Sequence, residues 1–169
     1  IYRQLVLGGE QDAGKTWACW QIISEIIDLQ RHQATPPPDI PIYVSVQQLD
    51  KKKFFESNTG DPIQILNGFF ECDEFSAAEC VLLKQAFALR RLIVVLDGIN
   101  EVAGHYKHIY CLIEALVNLG HRVIATYHSK IAVETHLEPT LSPLPLLYYE
   151  VMPLTFENRL NIVCDQLKR

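Results

Sequence analysis

The sequence predicts an α/β domain built in three layers, with a five-stranded parallel sheet and helices on both faces. Five strand-like apolar runs alternate with helix-like segments along the 169 residues, as parallel strands joined by helical crossovers require. Residues 92–96 are all aliphatic, which is typical of a strand buried on both faces. A chain of this length can bury a sizeable core, and we expect residues 1–169 to form one domain of a larger protein.

The elements are predicted from apolar periodicity and from the residues that end each segment. Strands are predicted at residues 2–7, 41–46, 91–98, 122–127 and 146–153. Helices are predicted at residues 20–31, 63–70, 77–89, 109–119 and 156–167. Gly120 is a suitable C-cap and Thr155 a suitable N-cap. Three consecutive prolines place residues 33–39 in a surface connection, and the lysines at 51–53 indicate a solvated loop or a helix start.

A phosphate-binding loop is predicted between the first strand and the first helix. The pattern G-x-x-x-x-G-K-[ST] is matched by Gly9, Glu10, Gln11, Asp12, Ala13, Gly14, Lys15 and Thr16. Glycines allow the backbone N–H groups to turn inward, where they and the helix N-terminus hold phosphates. Lys15 supplies a charge for the β- and γ-phosphates, and the Thr16 hydroxyl can bind Mg²⁺. The acidic side chains of Glu10 and Asp12 fit such a loop only if they point to solvent.

Two acidic residues follow the all-aliphatic strand. Asp97 stands where a carboxylate could hold Mg²⁺ through its water shell, although an N-cap is the alternative. Glu101 could activate a water molecule as a general base, or instead satisfy a helix dipole at the surface. Because ligands bind at the carboxyl ends of parallel strands, we expect both residues to face the loop.

Other polar and aromatic side chains near this edge have two interpretations each. Thr126 and His128 follow the fourth strand and could either contact a γ-phosphate or cap the next helix. Trp17 and Trp20 flank the loop, where core packing is the first interpretation and contact with a nucleotide base the second. His105 and His108 have a spacing that suits a metal, but they lack a third ligand and are better explained as a solvated face.

Composition excludes several classes of function. The net charge of −5 argues against a nucleic-acid surface, so no nucleic-acid partner is expected. The five cysteines form no CxxC pair and indicate reduced thiols in a cytoplasmic protein. No apolar run approaches the ~20 residues of a membrane-spanning helix, so no membrane span is expected.

Taken together, these segments resemble the NACHT domain, a branch of the STAND class of P-loop NTPases. The stretch LVLGGEQDAGKTW resembles its Walker A motif, and RRLIVVLDGINEV its extended Walker B motif. HRVIATYHSK is similar to its sensor strand, and VMPLTFENRLNIV to the passage toward a helical lid. The resemblance implies a three-layer P-loop core that binds ATP or ADP with Mg²⁺. It also implies a regulatory switch or assembly scaffold with other domains, protein partners and a possible oligomer.

The chain departs from the family pattern at two positions near the third phosphate. Asn100 replaces an acid, which leaves Glu101 alone of the second acidic pair, and His128 replaces the sensor arginine. Both changes remove charge, so hydrolysis is expected to be slow or absent.

Three alternative functions remain. A nucleotide-free structural domain would explain the two departures, although the intact Gly14-Lys15-Thr16 argues against it. A small-molecule P-loop kinase would need an arginine-rich lid, and the pair at 90–91 precedes a strand at the wrong end of the sheet. A GTPase would need an Asn-Lys-x-Asp segment, which the sequence lacks.

Overall fold

Five parallel strands form one sheet in the computed structural model of the chain. The structure describes residues 4–31, 39–57, 61–72, 74–102, 104–129 and 144–153, without the side chains of residues 56 and 57. The strands are β1 (Gln4–Gly8), β2 (Ile40–Ser45), β3 (Leu92–Asp97), β4 (Arg122–Thr126) and β5 (Leu147–Glu150). Their order across the sheet is β2-β3-β4-β1-β5, and every neighbouring pair is parallel. The predicted fold class is confirmed.

Within the described residues the structure has the four helices predicted there and two short additional ones. They are α1 (Lys15–Arg31), α2 (Val46–Lys51), α3 (Phe54–Ser57), α4 (Pro62–Phe70), α5 (Ala77–Ala88) and α6 (Tyr106–Asn118). α6 begins three residues before the predicted start at residue 109, and α2 begins directly after β2, in a stretch with no apolar repeat. The predicted helix at 156–167, its cap Thr155 and the prolines at 36–38 lie outside the described residues.

Helix ends carry side-chain caps that the sequence encodes. The Asp61 side chain accepts a hydrogen bond from the Ile63 N–H at 2.9 Å before α4. At the start of α5, Ser76 and Glu79 form a reciprocal capping box. Because each cap satisfies backbone N–H groups that have no partner within the helix, these residues fix where both helices begin.

Successive residues of each central strand point into two different hydrophobic cores, one on each face of the sheet. Under α1 the core contains Leu7, Cys19, Ile23, Ile93, Val95 and Ile124. The opposite core joins the sheet to α4, α5 and α6, and it contains Val6, Val94, Leu96, Val123, Leu112 and Phe70. Since burying one aliphatic side chain contributes about 1.5–3 kcal/mol, the two cores explain why β3 is aliphatic throughout. Helices therefore cover both faces, as predicted.

The strand order places the polar strand ends beside one another. β4 lies between β1 and β3, so Gly8, Asp97 and Thr126 end three neighbouring parallel strands at the same edge. The loop after β1 and the turn after β3 extend from this edge, and together they build the candidate site.

The cysteines within the described residues form no disulfide bonds. Cys19 is buried and Cys72, Cys80 and Cys111 are half-buried, all without disulfides, while Cys164 lies outside the described residues. No helix within the described ranges combines the length and apolar character needed to cross a bilayer.

Candidate functional site

The loop between β1 and α1 depends on both of its glycines. A Cβ atom at Gly9 would lie 2.8 Å from the carbonyl oxygen of Val151, so only glycine fits beside the chain that follows β5. Gly14 has φ +94°, a conformation that glycine adopts without steric cost, and α1 begins at the next residue. Asp12 also has a left-handed φ of +58°. The loop thus has the tight shape that the motif predicts.

Lys15 points back over the loop. Its Nζ donates hydrogen bonds to the carbonyl oxygens of Gly9 at 2.9 Å and Glu10 at 2.6 Å. The side chains of Glu10 and Asp12 are exposed, which meets the condition stated for acids in a phosphate loop. An ammonium group and the N-terminus of α1 therefore lie together at the loop, and both favour an anion.

Three hydroxyl groups converge on the carboxylate of Asp97. Thr16 Oγ1, at the start of α1, donates to Asp97 Oδ2 at 2.7 Å, and Tyr43 Oη, from β2, donates to the same oxygen at 2.6 Å. Thr126 Oγ1 donates to Asp97 Oδ1. Hydrogen bonds to an ionised acceptor are stronger than neutral ones, so these donors hold the carboxylate in one orientation toward the loop.

Tyr43 is a site residue that the sequence interpretation missed. Its ring stacks on Trp20 of α1, with the ring centroids 4.7 Å apart. Burial, followed by the hydrogen bond to Asp97, raises the pKa of the Tyr43 hydroxyl above its ordinary value. Burial and the charge of Asp97 also raise the pKa of the Cys19 thiol to about 12. Both groups therefore keep their protons at neutral pH.

Glu101 follows the turn after β3 and is exposed. Gln47 Nε2, from α2, donates to Glu101 Oε2 at 2.9 Å, a second contact that sequence reasoning missed. The turn needs Gly98, which has φ +79° and whose added Cβ would lie 2.6 Å from Glu101 Oε2. The glycine thus lets the carboxylate lie close to the end of β3.

Asn100 is only 1% exposed and is bonded to the backbone of one residue. The N–H of His128 donates to Asn100 Oδ1 at 2.8 Å, and Asn100 Nδ2 donates to the His128 carbonyl oxygen at 2.8 Å. The sequence marked this asparagine only as a missing charge. Its side chain instead joins the turn after β3 to the segment after β4.

These residues surround a cleft of about 640 Å³, within the size range of small-molecule sites. The predicted residues Gln11, Asp12, Gly14, Lys15, Thr16, Trp17, Asp97, Glu101 and His128 line it, together with Trp20. The remaining predicted residues do not line the cleft: Gly9, Ala13 and Thr126 are buried, and Glu10 is exposed. The cleft therefore joins the residues of both motifs.

The first interpretation of the tryptophans, core packing, is wrong. Trp17 is 52% exposed and Trp20 is 50% exposed, both at the cleft. The burial of an apolar residue near the start of a helix is hard to predict from sequence, because helical spacing alone does not say which helix face packs against the sheet. Their exposed rings leave base contact open.

The rings of His105 and His108 pack against Phe55. The His105 ring stacks on Phe55 at 4.9 Å, and His105 Nε2 lies 3.4 Å from Asp50 Oδ1. The described part of the chain contains no group of three or more His, Cys, Asp or Glu side chains that could hold a metal ion.

Comparison with known proteins finds similarity in structure and none in sequence. Neither a protein-family model nor a curated protein sequence matches it. The solved structure of C. elegans PCH-2 matches with 13% identity and a TM-score of 0.58, covering 99% of this chain and 40% of that one. The Aeropyrum pernix ORC1 protein, solved in complex with DNA, matches with 16% identity and a TM-score of 0.66, covering 99% of this chain and 44% of that one.

Both neighbours are AAA+ P-loop ATPases, so the chain has the three-layer α/β fold of P-loop NTPases. At these identities the likeness shows the fold alone, and it supports no NACHT assignment in particular. The chain spans less than half the length of either neighbour.

Proposed function

We propose that this chain binds a nucleoside triphosphate with Mg²⁺ in the cleft and acts as a NACHT-type regulatory switch or assembly scaffold. The resemblance to that family makes ATP the expected triphosphate. It also leads us to expect other domains and protein partners in a larger cytoplasmic protein. One observation carries the proposal: the Thr16 hydroxyl and the Asp97 carboxylate, from two separate motifs, lie 2.7 Å apart at the phosphate loop.

The loop supplies what a polyphosphate needs. The N-terminus of α1 presents unpaired N–H groups to an anion, and Lys15 adds a positive charge that is already held beside Gly9 and Glu10. The cleft is large enough for a nucleotide, and the exposed Trp17 ring at its wall offers a flat apolar surface to a base,.

The oxygen atoms beside the loop fit Mg²⁺. Thr16 Oγ1 and Asp97 Oδ2 are hard oxygen donors, and Mg²⁺ is commonly held by one or two such groups together with water and phosphate oxygens,. When bound, the ion would neutralise charge on the phosphates. The protein's own part is to orient the carboxylate, through the hydroxyls of Tyr43 and Thr126.

Slow or absent hydrolysis follows from the residues near the third phosphate. Glu101, in the turn after β3, lines the cleft. Its carboxylate could accept a proton from water. Gln47 already donates to it, and its neighbour Asn100 is neutral and bonded to backbone. A single, solvent-exposed general base is consistent with a nucleotide that persists long enough to serve as a signal.

A nucleotide-free structural domain is the second candidate, and one observation favours it. Lys15 and Thr16 are both hydrogen-bonded to protein oxygens, to Gly9 and Glu10 and to Asp97 respectively. These two side chains therefore have protein partners, as in a domain that does not bind a nucleotide.

Calorimetric titration of the full-length protein with Mg²⁺ and ATP, ADP or GTP separates these functions. We expect ATP or ADP to bind, and Lys15→Ala to weaken binding about 10-fold or more, because a hydrogen bond to a charged group contributes about 1.5–3 kcal/mol. Lys107→Ala, which removes an exposed lysine on α6, is the matched control and should bind normally. No heat from any triphosphate would favour the structural domain, and equal affinity in Lys15→Ala would refute the assigned loop. An ATP-dependent change in assembly size would support the scaffold role.

A further inference from the structure

The regular pairing of β3 with β4 ends one residue before the end of each strand. The regular pairing of the two strands runs to Leu96 opposite Ala125. Gly98, with φ +79°, then turns the chain, and the Ile99 N–H donates to the Thr126 carbonyl oxygen at 2.9 Å. Among the described residues, no strand pairs with the chain beyond Thr126 on the β3 side.

The segment after β4 continues along β1 but has lost its neighbour on the other side. The Tyr127 N–H donates to the Leu7 carbonyl oxygen at 3.0 Å, and the Ser129 N–H donates to the Gly9 carbonyl oxygen at 3.1 Å. Because backbone groups alternate in direction along an extended chain, the N–H and C=O of the residue between them, His128, face the β3 side.

The Asn100 carboxamide takes the place of the missing strand. Its Oδ1 accepts from the His128 N–H and its Nδ2 donates to the His128 carbonyl oxygen, both at 2.8 Å. Both backbone groups would otherwise be left unpaired, at a cost of about 1–3 kcal/mol each. A carboxylate at this position could accept the first bond but would set an oxygen against the carbonyl, so the asparagine is a chemical requirement of this arrangement.

His128 is held where it faces the cleft, beside residues of both motifs. It lines the cleft with Lys15, Asp97 and Glu101, at the strand edge beyond the phosphate loop. A diphosphate can be held by the loop and the start of α1. A third phosphate extends from the loop toward the carboxyl ends of the neighbouring strands, which is the side where His128 stands.

We propose that Asn100 is a positioning residue for His128, and that this pair makes the site distinguish a nucleoside triphosphate from a diphosphate. The inference rests on the proposed nucleotide binding. It adds that the cleft prefers a triphosphate to a diphosphate and names the contact that sets this preference. The positioning acts through the backbone: both polar backbone groups of His128 are bonded to the Asn100 side chain, which fixes the backbone of His128 at the cleft.

The test measures two affinities of the full-length protein, for Mg²⁺ with ADP and for Mg²⁺ with a non-hydrolysable ATP analogue. In Asn100→Asp we expect affinity for the ATP analogue to fall about 10-fold or more, while affinity for ADP changes less than about 2-fold. His128→Ala should lose the same selectivity. Asn100→Asp placed in the His128→Ala background should change the ratio no further, since two residues acting through one contact are not additive.

Controls keep the result interpretable. Asn118→Asp makes the same chemical change at an exposed position at the end of α6 and should leave both affinities unchanged. A merely structural role for Asn100 would lower both affinities by the same factor, and that outcome overturns the inference while the proposed function stands. If Asn100→Asp fails to fold, His128→Ala alone decides: an unchanged affinity ratio overturns the inference. If neither nucleotide binds the unmodified protein, the proposed function and the inference both fall.

Discussion

Replacing Tyr43 with phenylalanine tests the network around Asp97 without changing the shape of the core. The change removes one of three hydroxyl donors to the carboxylate and keeps the ring that stacks on Trp20. A hydrogen bond to a charged group contributes about 1.5–3 kcal/mol. Because Asp97 Oδ2 keeps its bond from Thr16, the lower end applies, and we expect a loss of about 1.5 kcal/mol. For a chain of this size that corresponds to a fall in Tm of about 3–6 °C.

Thermal unfolding followed by circular dichroism measures this change, and the Asp97→Asn background supplies its control. The neutral amide accepts a weaker bond, about 0.5–1.5 kcal/mol, so Tyr43→Phe should cost roughly half as much there. An unchanged Tm, or the same loss in both backgrounds, would refute the assignment of Tyr43 as an energetically significant donor to Asp97.

Two further changes follow from local geometry. Gly98→Ala must place a side chain at φ +79° and within 2.6 Å of Glu101 Oε2; we expect a loss of about 1–2 kcal/mol in urea unfolding, and an unaltered midpoint would contradict the strained turn. The pKa of Cys19 is raised from 9.0 to about 12 in the folded chain, so the unfolded chain releases this proton first and stability falls as pH rises above 9. Cys19→Ala should therefore lose less stability than the unmodified chain between about pH 8 and about pH 10.5, and equal losses would show that this thiol does not carry the effect.

The sheet could be predicted from sequence because its central strands, β3 and β4, are buried on both faces. The aliphatic run of β3 and the regular alternation of strands and helices leave few other folds. The order of the strands could not be predicted in this way, because it depends on which strands each helical connection crosses. The sequence does not predict α2, because its six residues, Val46–Lys51, are too few to show a helical repeat.

The site was predictable where a motif fixes both the residue and its neighbours in sequence. Lys15, Thr16 and Asp97 belong to such motifs and line one cleft. Tyr43 and Gln47 come from a strand and a helix far away in sequence, and only the pairing of β2 with β3 brings them close. One signal was present: Tyr43 is the aromatic residue of β2, and it carries a polar end between Ile42 and Val44.

The bonds from Lys15 to the Gly9 and Glu10 carbonyl oxygens also mean that this ammonium group stabilises the conformation of the loop. An ammonium group has three hydrogens to donate. Two of them bond to the loop carbonyl oxygens and stabilise its shape, and the third can bond to a phosphate oxygen. Truncating this lysine would thus remove two bonds that stabilise the loop as well as its positive charge. Lys15→Met has a side chain of similar length without charge, and it loses both bonds to the loop carbonyl oxygens. Lys15→Arg keeps the charge but changes the geometry of these bonds. Comparing the two variants separates the effect of the loop's shape from the effect of the charge.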